Sequence, residues 1–525
     1  MAIKRYTAEA DTTITNAYKA NFSTRGTGSN MGQSDILEAF SIFAQVSTAS
    51  SELSRILVKF PATGTTANYI SYDREQGNIP VSGSVNFYLK LFNAKHSQTV
   101  PKNFTLSASA LSRSWDEGLG LDMEEYSDWG YANWVSGAAS SSIQVANDGN
   151  ADGGWATAGG DYFSDSSSSF TQDFDAGFED LEINITPLVE QWINSSGNVL
   201  GSKSNYGLGI HMASDQEDAS DSYYTKKFFA RGSQFFFKRP IIEARWDSSK
   251  KDNRGNFYYS SSLAPAADNL NTIYLYNYVR GSLKNIPCIS SGSILVSIYS
   301  GSADNSGPSG SKLKLSVGGD VSATGDQFNV TGGCVSTGIY SASFAFTGST
   351  SLTRFFDVWH TSSFDSECGV VGTDDSVQYF TGSVEPETVS NLWPGYEMNP
   401  TPQYVSKIVN LKSTYSTANT NTRFRLYTRK KDWSPNIYSV SSNAMPIHLA
   451  EDVYYRVIRA TDNYDAIPYG TGSDNHTRLS YDMSGSYFDL DMSLLEPDNT
   501  YIIKFVFYLN GQYAQQTEDF KFRLE

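Results

Sequence analysis

Charged residues, long apolar runs and cysteines are all scarce in this 525-residue chain. Charged residues make up 18% of it, below the usual value of about 25%, which argues against the coiled coils and helical repeats that depend on Glu and Lys. No apolar run approaches the ~18 residues of a membrane-spanning helix, and the N-terminal stretch lacks the apolar segment of a secretory signal. We therefore expect that the chain does not insert into a membrane. We also expect that it matures in the cytoplasm.

Basic residues are also in deficit, at 39 against 56 acidic ones, so the net charge is −17. A protein that neutralises phosphates needs a basic surface, and we therefore expect no nucleic-acid partner. An anionic polysaccharide would be repelled overall, although a local basic patch could override that repulsion.

Cysteine is limited to Cys288, Cys334 and Cys368, with no C-x-x-C pair. This spacing makes a zinc site unexpected, and extracellular disulfide scaffolds usually carry an even and denser set of cysteines. Three free thiols, or one disulfide with one free thiol, both fit the count. We favour three free thiols.

Aromatic residues, by contrast, are abundant at 14% of the chain. Many aromatics combined with few charges is typical of β-rich proteins. Short runs of strand character between Gly/Ser-rich turns predict an all-β fold of tandem β-sandwiches, a jelly roll followed by immunoglobulin-like domains. We place three domains at residues 1–248, 257–383 and 384–525. The polar stretch 247–256 between the first two is interpreted as a linker.

One helix is predicted, over Thr186–Ile193, in the first domain. Thr186 can cap it, and Pro187 suits the first helical position. The spacing of Leu188 and Trp192 places both on one apolar face. A long loop rich in Gly, Ser, Asp and Trp is predicted from Trp115 to Asp175.

A turn containing Pro precedes Tyr501 at the start of a late strand, in the sequence Leu494-Leu-Glu-Pro-Asp-Asn-Thr-Tyr501. This arrangement resembles the tyrosine corner of immunoglobulin-like domains, in which the tyrosine hydroxyl holds the corner. We expect Tyr501 to do so in the third domain.

Enzyme motifs are lacking: the sequence has no G-x-S-x-G, Walker A or H-E-x-x-H. The five histidines are far apart and are interpreted as structural or surface residues. Neighbouring carboxylates such as Glu124 and Glu125 usually point apart, which does not suit glycoside hydrolysis. Asp148–Asp152 superficially resembles a calcium loop but lacks the distal bidentate Glu. We predict no catalytic residue, no metal and no cofactor.

The predicted long loop concentrates tryptophans among Gly, Asp and Asn. Exposed aromatic faces beside carboxylates and amides bind sugars by stacking and hydrogen bonding. The alternative, which we favour, is that the indoles fill the open end of a sandwich beneath the loops. The candidate glycan-contact residues are Trp115, Asp116, Glu117, Trp129, Trp134 and Trp155.

Six short motifs follow one another in the first domain: Ala10-Asp11-Thr12-Thr13-Ile14, Arg55-Ile-Leu-Val-Lys-Phe60, Trp115-Asp-Glu117, Gly159-Gly160-Asp161, Thr186-Pro-Leu-Val-Glu-Gln-Trp192 and Asn205-Tyr-Gly-Leu208. Together they resemble the DNRLRE family, a jelly-roll module also classed with alginate-type carbohydrate-binding modules. The resemblance implies a β-sandwich with a cell-surface or glycan-associated role and does not imply catalysis. Family members are typically secreted, whereas this chain shows no signal peptide.

Two further features are the stretch from Arg245-Trp-Asp to Asn285-Ile-Pro287 and an acidic, aromatic C-terminal part. With these, the whole chain resembles virion structural proteins of tailed, T4-like phages of marine cyanobacteria. Such a protein assembles in the host cytoplasm and works outside, which reconciles free thiols and an absent signal with a surface role. The resemblance implies a non-enzymatic neck, tail or head-surface component that forms homo-oligomers, contacts other virion proteins and displays a sandwich to host-surface polysaccharide. The alternative is a bacterial surface carbohydrate-binding protein or adhesin, and a weaker third hypothesis is a glycan-active depolymerase.

Overall fold

The chain folds as an all-β protein of tandem β-sandwiches, as predicted. The structure, a computed structural model, describes residues 2–47, 50–123, 131–138, 154–196, 198–287, 289–319, 327–346, 352–361, 377–387, 403–431, 433, 437, 447–509 and 511–525. Within these residues no helix combines the length and the apolar character that crossing a membrane requires.

The first sandwich is built from two sheets that enclose one apolar core. Its strands are β1 (Ile3–Thr7), β2 (Ala10–Thr15), β3 (Ile36–Phe43), β4 (Ser51–Lys59), β5 (Asn86–Leu91), β6 (Phe104–Ala110), β7 (Ser169–Phe174), β8 (Leu181–Asn184), β9 (Leu208–Met212), β10 (Tyr223–Phe229) and β11 (Ile241–Arg245). The sheet orders are β1-β11-β5-β8 and β10-β3-β4-β9-β6-β7, with β2 paired to β4. In β5 the alternate residues Phe87, Leu89 and Leu91 are fully buried, as expected for a sheet with one face on the core.

Three short helices connect strands of this sandwich: α1 (Ile70–Glu75), α2 (Thr186–Trp192) and α3 (Ser214–Glu217). α2 is the predicted helix, with proline in its first turn and with Leu188 and Trp192 buried. The predicted capping by Thr186 is wrong, because the helix begins at that residue. Its Oγ1 instead accepts a hydrogen bond from the backbone N–H of Phe87 at 2.8 Å, which fastens α2 to β5.

The predicted long loop is interrupted by β7, and this part of the prediction is wrong. β7 pairs with β6 at the edge of the larger sheet, and only Phe174 among its residues is buried. An edge strand with few buried side chains is stabilised mainly by its backbone ladder, so its sequence carries little apolar alternation.

The second core is enclosed by an eight-stranded sheet and a short parallel pair. The strands are β12 (Phe257–Tyr258), β13 (Asn271–Tyr276), β14 (Tyr278–Val279), β15 (Ser282–Leu283), β16 (Ser293–Gly301), β17 (Pro308–Lys312), β18 (Leu315–Ser316), β19 (Val330–Ser336), β20 (Ile339–Phe346), β21 (Phe355–Thr361), β22 (Val377–Val384) and β23 (Pro386–Glu387). The main order is β13-β20-β19-β16-β21-β22. β23 pairs with β12, so the strands of this unit extend to Glu387.

The third sandwich has two sheets, in the orders β24-β26-β30-β29 and β25-β33-β31-β27-β28, with β32 paired to β31. Its strands are β24 (Tyr404–Ile408), β25 (Thr414–Tyr415), β26 (Thr422–Lys430), β27 (Val453–Arg459), β28 (Tyr464–Ile467), β29 (Ser480–Asp482), β30 (Gly485–Leu490), β31 (Thr500–Leu509), β32 (Gln512–Gln515) and β33 (Phe520–Leu524). The fully buried Tyr501 donates its hydroxyl hydrogen to the carbonyl oxygen of Glu496 at 2.8 Å. The predicted tyrosine corner is therefore confirmed.

Candidate functional site

Three of the predicted glycan-contact tryptophans lie in the interior of the first sandwich. Trp115, Trp134 and Trp155 are 7%, 6% and 0% exposed, and they pack in one apolar cluster with Ile14 and Leu57. Their ring faces are therefore covered by protein and not presented to a sugar. This placement agrees with the alternative that the indoles fill the end of the sandwich. Trp129 lies outside the described residues.

The indole N–H groups are also engaged within the protein. Trp155 Nε1 donates to the carbonyl oxygen of Asn133 at 2.9 Å, and Trp115 Nε1 donates to that of Tyr206 at 2.8 Å. Buried indoles are normally satisfied in this way. The Trp155 bond consequently joins two segments of the predicted loop, and the Trp115 bond joins the loop to Tyr206, just before strand β9.

The carboxylate of Glu117, a fourth predicted contact, ties the same loop to strand β2. Its Oε1 accepts hydrogen bonds from the backbone N–H of Asp11 and from Nε of Arg231, both at 2.8 Å, and its Oε2 pairs with Nη2 of Arg231. Burial, together with the nearby Glu117 charge, raises the pKa of the Asp11 carboxyl to about 7. Glu117 thus has a structural role, because it connects the loop to strand β2 and to Arg231. The neighbouring Asp116 is exposed.

A second group of motif residues meets at Arg55. Its Nη2 lies 2.6 Å from Oε2 of Glu217, and its Nη1 donates to the carbonyl oxygen of Gly159 at 3.1 Å. The guanidinium also lies over the Trp134 ring, 5.3 Å from its centroid. Gly159 has φ +91°, and a Cβ there would lie 2.9 Å from both Arg55 and Trp134, so glycine is required.

Beside this turn the surface has an open depression of about 560 Å³. Its polar wall includes Arg55, Arg113 and Asp161, with Arg113 Nε 3.4 Å from Asp161 Oδ2. Tyr162 contributes the one aromatic side chain of the described lining, and its hydroxyl donates to the carbonyl oxygen of Gly159 at 2.9 Å. Two of the six sequence motifs, those that contain Arg55 and Gly159-Gly160-Asp161, therefore meet at a polar depression rather than at an aromatic platform.

The segment predicted to be a linker, residues 247–256, is packed between the second and third sandwiches. Lys251 forms a parallel bridge with Tyr481 of β29, and the backbone N–H of Asp252 donates to the carbonyl oxygen of Tyr481 at 3.1 Å. The backbone N–H of Lys250 donates to Oγ of Ser480 at 2.9 Å. The prediction of a simple linker is therefore wrong: the segment extends the edge of a sheet in the third sandwich.

An ion pair fastens the same segment to the second sandwich. Arg254 and Asp357 are 7% and 0% exposed, and Nη2 of the arginine lies 2.7 Å from Oδ2 of the aspartate. Trp359 Nε1 donates to the same carboxylate oxygen at 2.7 Å. We call this pair and the residues 247–256 the junction. It joins two sandwiches through buried, directional contacts.

A charged network centred on the buried Glu243 lies within the first sandwich, on the side that contacts the third. Arg5 and Arg245 each lie 2.7 Å from its carboxylate, and Lys90 lies 3.9 Å away. Burial alone would raise the pKa of the Glu243 carboxyl, but these three cations outweigh it and hold the pKa well below its usual range. Nη2 of Arg5 also donates to the carbonyl oxygen of Ala466 at 2.8 Å, which connects the network to the third sandwich.

An aromatic side chain of the first sandwich completes the core of the third. The 3-10 helix Phe236–Lys238 places Phe237 among the buried residues of the third core, with its ring centroid 5.2 Å from that of Tyr464. Ile3 of β1 joins the same cluster. Apolar burial and the Glu243 network therefore act on the same interface.

No metal-binding cluster of three or more His, Cys, Asp or Glu residues occurs in the described part of the chain. His211, His360 and His476 lie at separate places, and burial lowers the pKa of His476 to about 4. Cys334 is a free thiol whose Sγ donates to the carbonyl oxygen of Ser336 at 3.3 Å. The carboxylate pair Glu124 and Glu125, the calcium-loop-like segment Asp148–Asp152, and the cysteines Cys288 and Cys368 lie outside the described residues.

Comparison with known proteins yields little. No protein-family model and no curated protein sequence matches the chain. Among solved structures, the chain has similarity to the FN1-FN3 domains of chicken CNTN1, at 10% identity, with 85% of this chain and 97% of that one covered and a TM-score of 0.14. A TM-score of that size does not establish a shared fold.

Proposed function

We propose that the chain is a non-enzymatic structural component of a tailed-phage virion, acting at the neck, tail or head surface. The observation that supports this proposal best is the buried polar junction and the Glu243 network, which fix the three sandwiches relative to one another. Independent binding modules are commonly joined by flexible linkers, and relative motion is the default for small polar interfaces. A subunit of a particle benefits from fixed angles between its domains.

Contacts with neighbouring subunits are assigned to exposed strand edges. All four residues of β32 are exposed, and Tyr508 and Tyr513 on the hairpin β31–β32 are 42% and 52% exposed, with ring centroids 4.8 Å apart. Unpaired edges and exposed aromatics favour association with another chain. We infer that this hairpin contributes to homo-oligomer formation or to binding of another virion protein.

The second candidate function is glycan recognition at a bacterial or virion surface. The polar depression near Arg55 and Asp161 supports it, together with the resemblance of the first domain to the DNRLRE family. Since the candidate indoles of Trp115, Trp134 and Trp155 are buried, sugar contact in this function is assigned to the polar groups, with Asp116 available at the exposed surface.

Mass spectrometry of phage particles purified through a density gradient tests the proposal. We expect peptides of this chain to co-purify with the major capsid and tail proteins at a constant ratio across the particle fractions. Absence from particles whose other structural proteins are detected would contradict the proposal. Recombinant chain that binds capsular polysaccharide but is missing from particles would favour the bacterial surface protein.

A further inference from the structure

The first and third sandwiches leave a cavity of about 360 Å³ between them. This volume lies within the range of about 300–1,000 Å³ that is usual for small-molecule sites, and such sites are frequent at domain interfaces. Arg5, Lys90 and Arg239 of the first sandwich line one side, and Tyr464 and Asp491 of the third line the other. Both sandwiches thus contribute to the wall.

The positive charge of Arg239 is not neutralised within the cavity. In the described residues no carboxylate lies within 4.0 Å of its guanidinium, and its Nε donates to the carbonyl oxygen of Ser233 at 3.0 Å. The other cations of the wall are paired: Arg5 and Lys90 with Glu243, and Lys4 with Asp73 at 2.5 Å. Arg239 therefore provides two terminal nitrogens for a ligand.

The carboxylates in the wall are already engaged by the protein. Asp180 accepts a hydrogen bond from the backbone N–H of Asn93 at 2.7 Å, and Asp491 accepts one from Ser493 Oγ at 2.7 Å. Asp465 lies 3.5 Å from Arg456. The hydrogen bonds fix the orientation of Asp180 and Asp491 but leave their negative charges in place, and among the described residues Asp465 alone of the three faces a cation. The lining therefore carries three carboxylates against four cations, Lys4, Arg5, Lys90 and Arg239.

Aromatic side chains supply the rest of the wall. Phe92, Phe236, Phe237 and Tyr464 line the cavity, and the ammonium of Lys238 lies 5.1 Å and 4.8 Å from the ring centroids of Phe92 and Tyr464. This adds a second positive charge close to the cavity. In a chain of net charge −17, the cavity therefore combines a slight excess of cationic over anionic lining residues with apolar ring faces.

We propose that this cavity binds a small carboxylate carried on a six-membered ring. The fork of Arg239 matches a carboxylate in bidentate geometry, and the aromatic wall accommodates the ring. The ring can belong to a sugar acid or to an aromatic acid, since both present a carboxylate and a ring face that packs against aromatic side chains. The proposal concerns a site separate from the virion role and does not depend on it.

Isothermal titration calorimetry of the full chain with glucuronate and with benzoate tests the proposal. We expect saturable binding of one equivalent of at least one acid, weakened by added NaCl, and no binding of glucose. The acid that binds with the higher affinity shows whether the site prefers a sugar acid or an aromatic acid. Absence of binding for both acids, or equal binding of glucose, would overturn the proposal.

The Arg239→Gln variant is expected to weaken binding of the acid by about tenfold or more, because a charge-assisted bidentate contact is lost. Arg280→Gln is the matched control: it makes the same chemical change on an exposed turn of the second sandwich and should leave binding unchanged. Arg239→Lys keeps the charge without the fork and serves if the Gln variant does not fold, as judged by circular dichroism. If the variants at positions 239 and 280 lost affinity for the acid equally, or if Arg239→Lys bound the acid as tightly as the native chain, Arg239 would not be the residue that binds the carboxylate.

Discussion

Arg254→Met is expected to lower the free energy of unfolding by about 3–5 kcal/mol, because it leaves the carboxylate of Asp357 buried without its counter-charge. Asp357 is fully buried and, among the described residues, would keep only the hydrogen bond from Trp359 Nε1. Urea denaturation followed by tryptophan fluorescence measures the change, since this indole contacts the carboxylate directly.

Two further variants separate this explanation from general damage to the core. Replacing both partners, as Arg254→Met with Asp357→Leu, should recover much of the loss, because the unpaired buried charge is then gone. Arg354→Met removes an exposed pair with Glu385 and should change the stability by less than about 1 kcal/mol. A single Arg254→Met variant as stable as the native chain would contradict the assignment of the junction.

Glu243→Gln is expected to destabilise the chain at neutral pH, by an amount comparable to the loss of other buried ion pairs, about 3 kcal/mol. The native carboxyl has its pKa held well below the ordinary value, so its contribution is complete above the unfolded-state pKa of about 4.3. That contribution is lost as the pH falls through the folded-state pKa. The stability difference between native chain and variant should therefore shrink between pH 5 and pH 2.

Denaturation midpoints at a series of pH values measure this effect, with Glu385→Gln as a matched control on an exposed ion pair with Arg354. The control should show little loss at any pH, because surface pairs contribute little. If the stability of Glu243→Gln stayed below that of the native chain by a constant amount down to pH 2, the charge network would not stabilise the interface.

Local patterns in the sequence were sufficient to predict much of the fold. The tyrosine corner at Tyr501 depends on a turn and a strand that adjoin in sequence, and helix α2 depends on proline and apolar spacing within one turn. The alternation in β5 likewise follows from a period of two residues. Each of these features is fixed by residues close together in the chain.

The junction could not be predicted in the same way, because its energetics depend on partners far apart in sequence. The segment 247–256 is polar and resembles a linker until Arg254 is placed beside Asp357, 103 residues away. Arg5 and Glu243 are separated by 238 residues. A polar residue gives no sign in the sequence of whether water or a buried counter-charge will satisfy it.

The glycan-contact residues were also predicted without knowledge of their packing, in this case within a single loop. Trp155 and Glu117 are residue types that are common in sugar-binding sites. Trp155 is nevertheless buried, and the Glu117 carboxylate accepts hydrogen bonds from Arg231 and from the backbone N–H of Asp11. Tryptophan is equally suited to a loop core and to an exposed platform. Only the packing of the loop on the sandwich distinguishes the two arrangements.

Limited tryptic digestion of the native chain most directly tests whether the sandwiches are joined through a packed junction. The segment 247–256 contains Lys250, Lys251 and Arg254, while Arg280 and Lys284 on the exposed hairpin of β14 and β15 provide internal reference sites. Cleavage by trypsin requires local release of the backbone from its hydrogen bonds. We predict cleavage at the reference sites well before any cut at the three junction sites. Cleavage at the junction as fast as at Arg280 would contradict the account and show that the segment is a free linker.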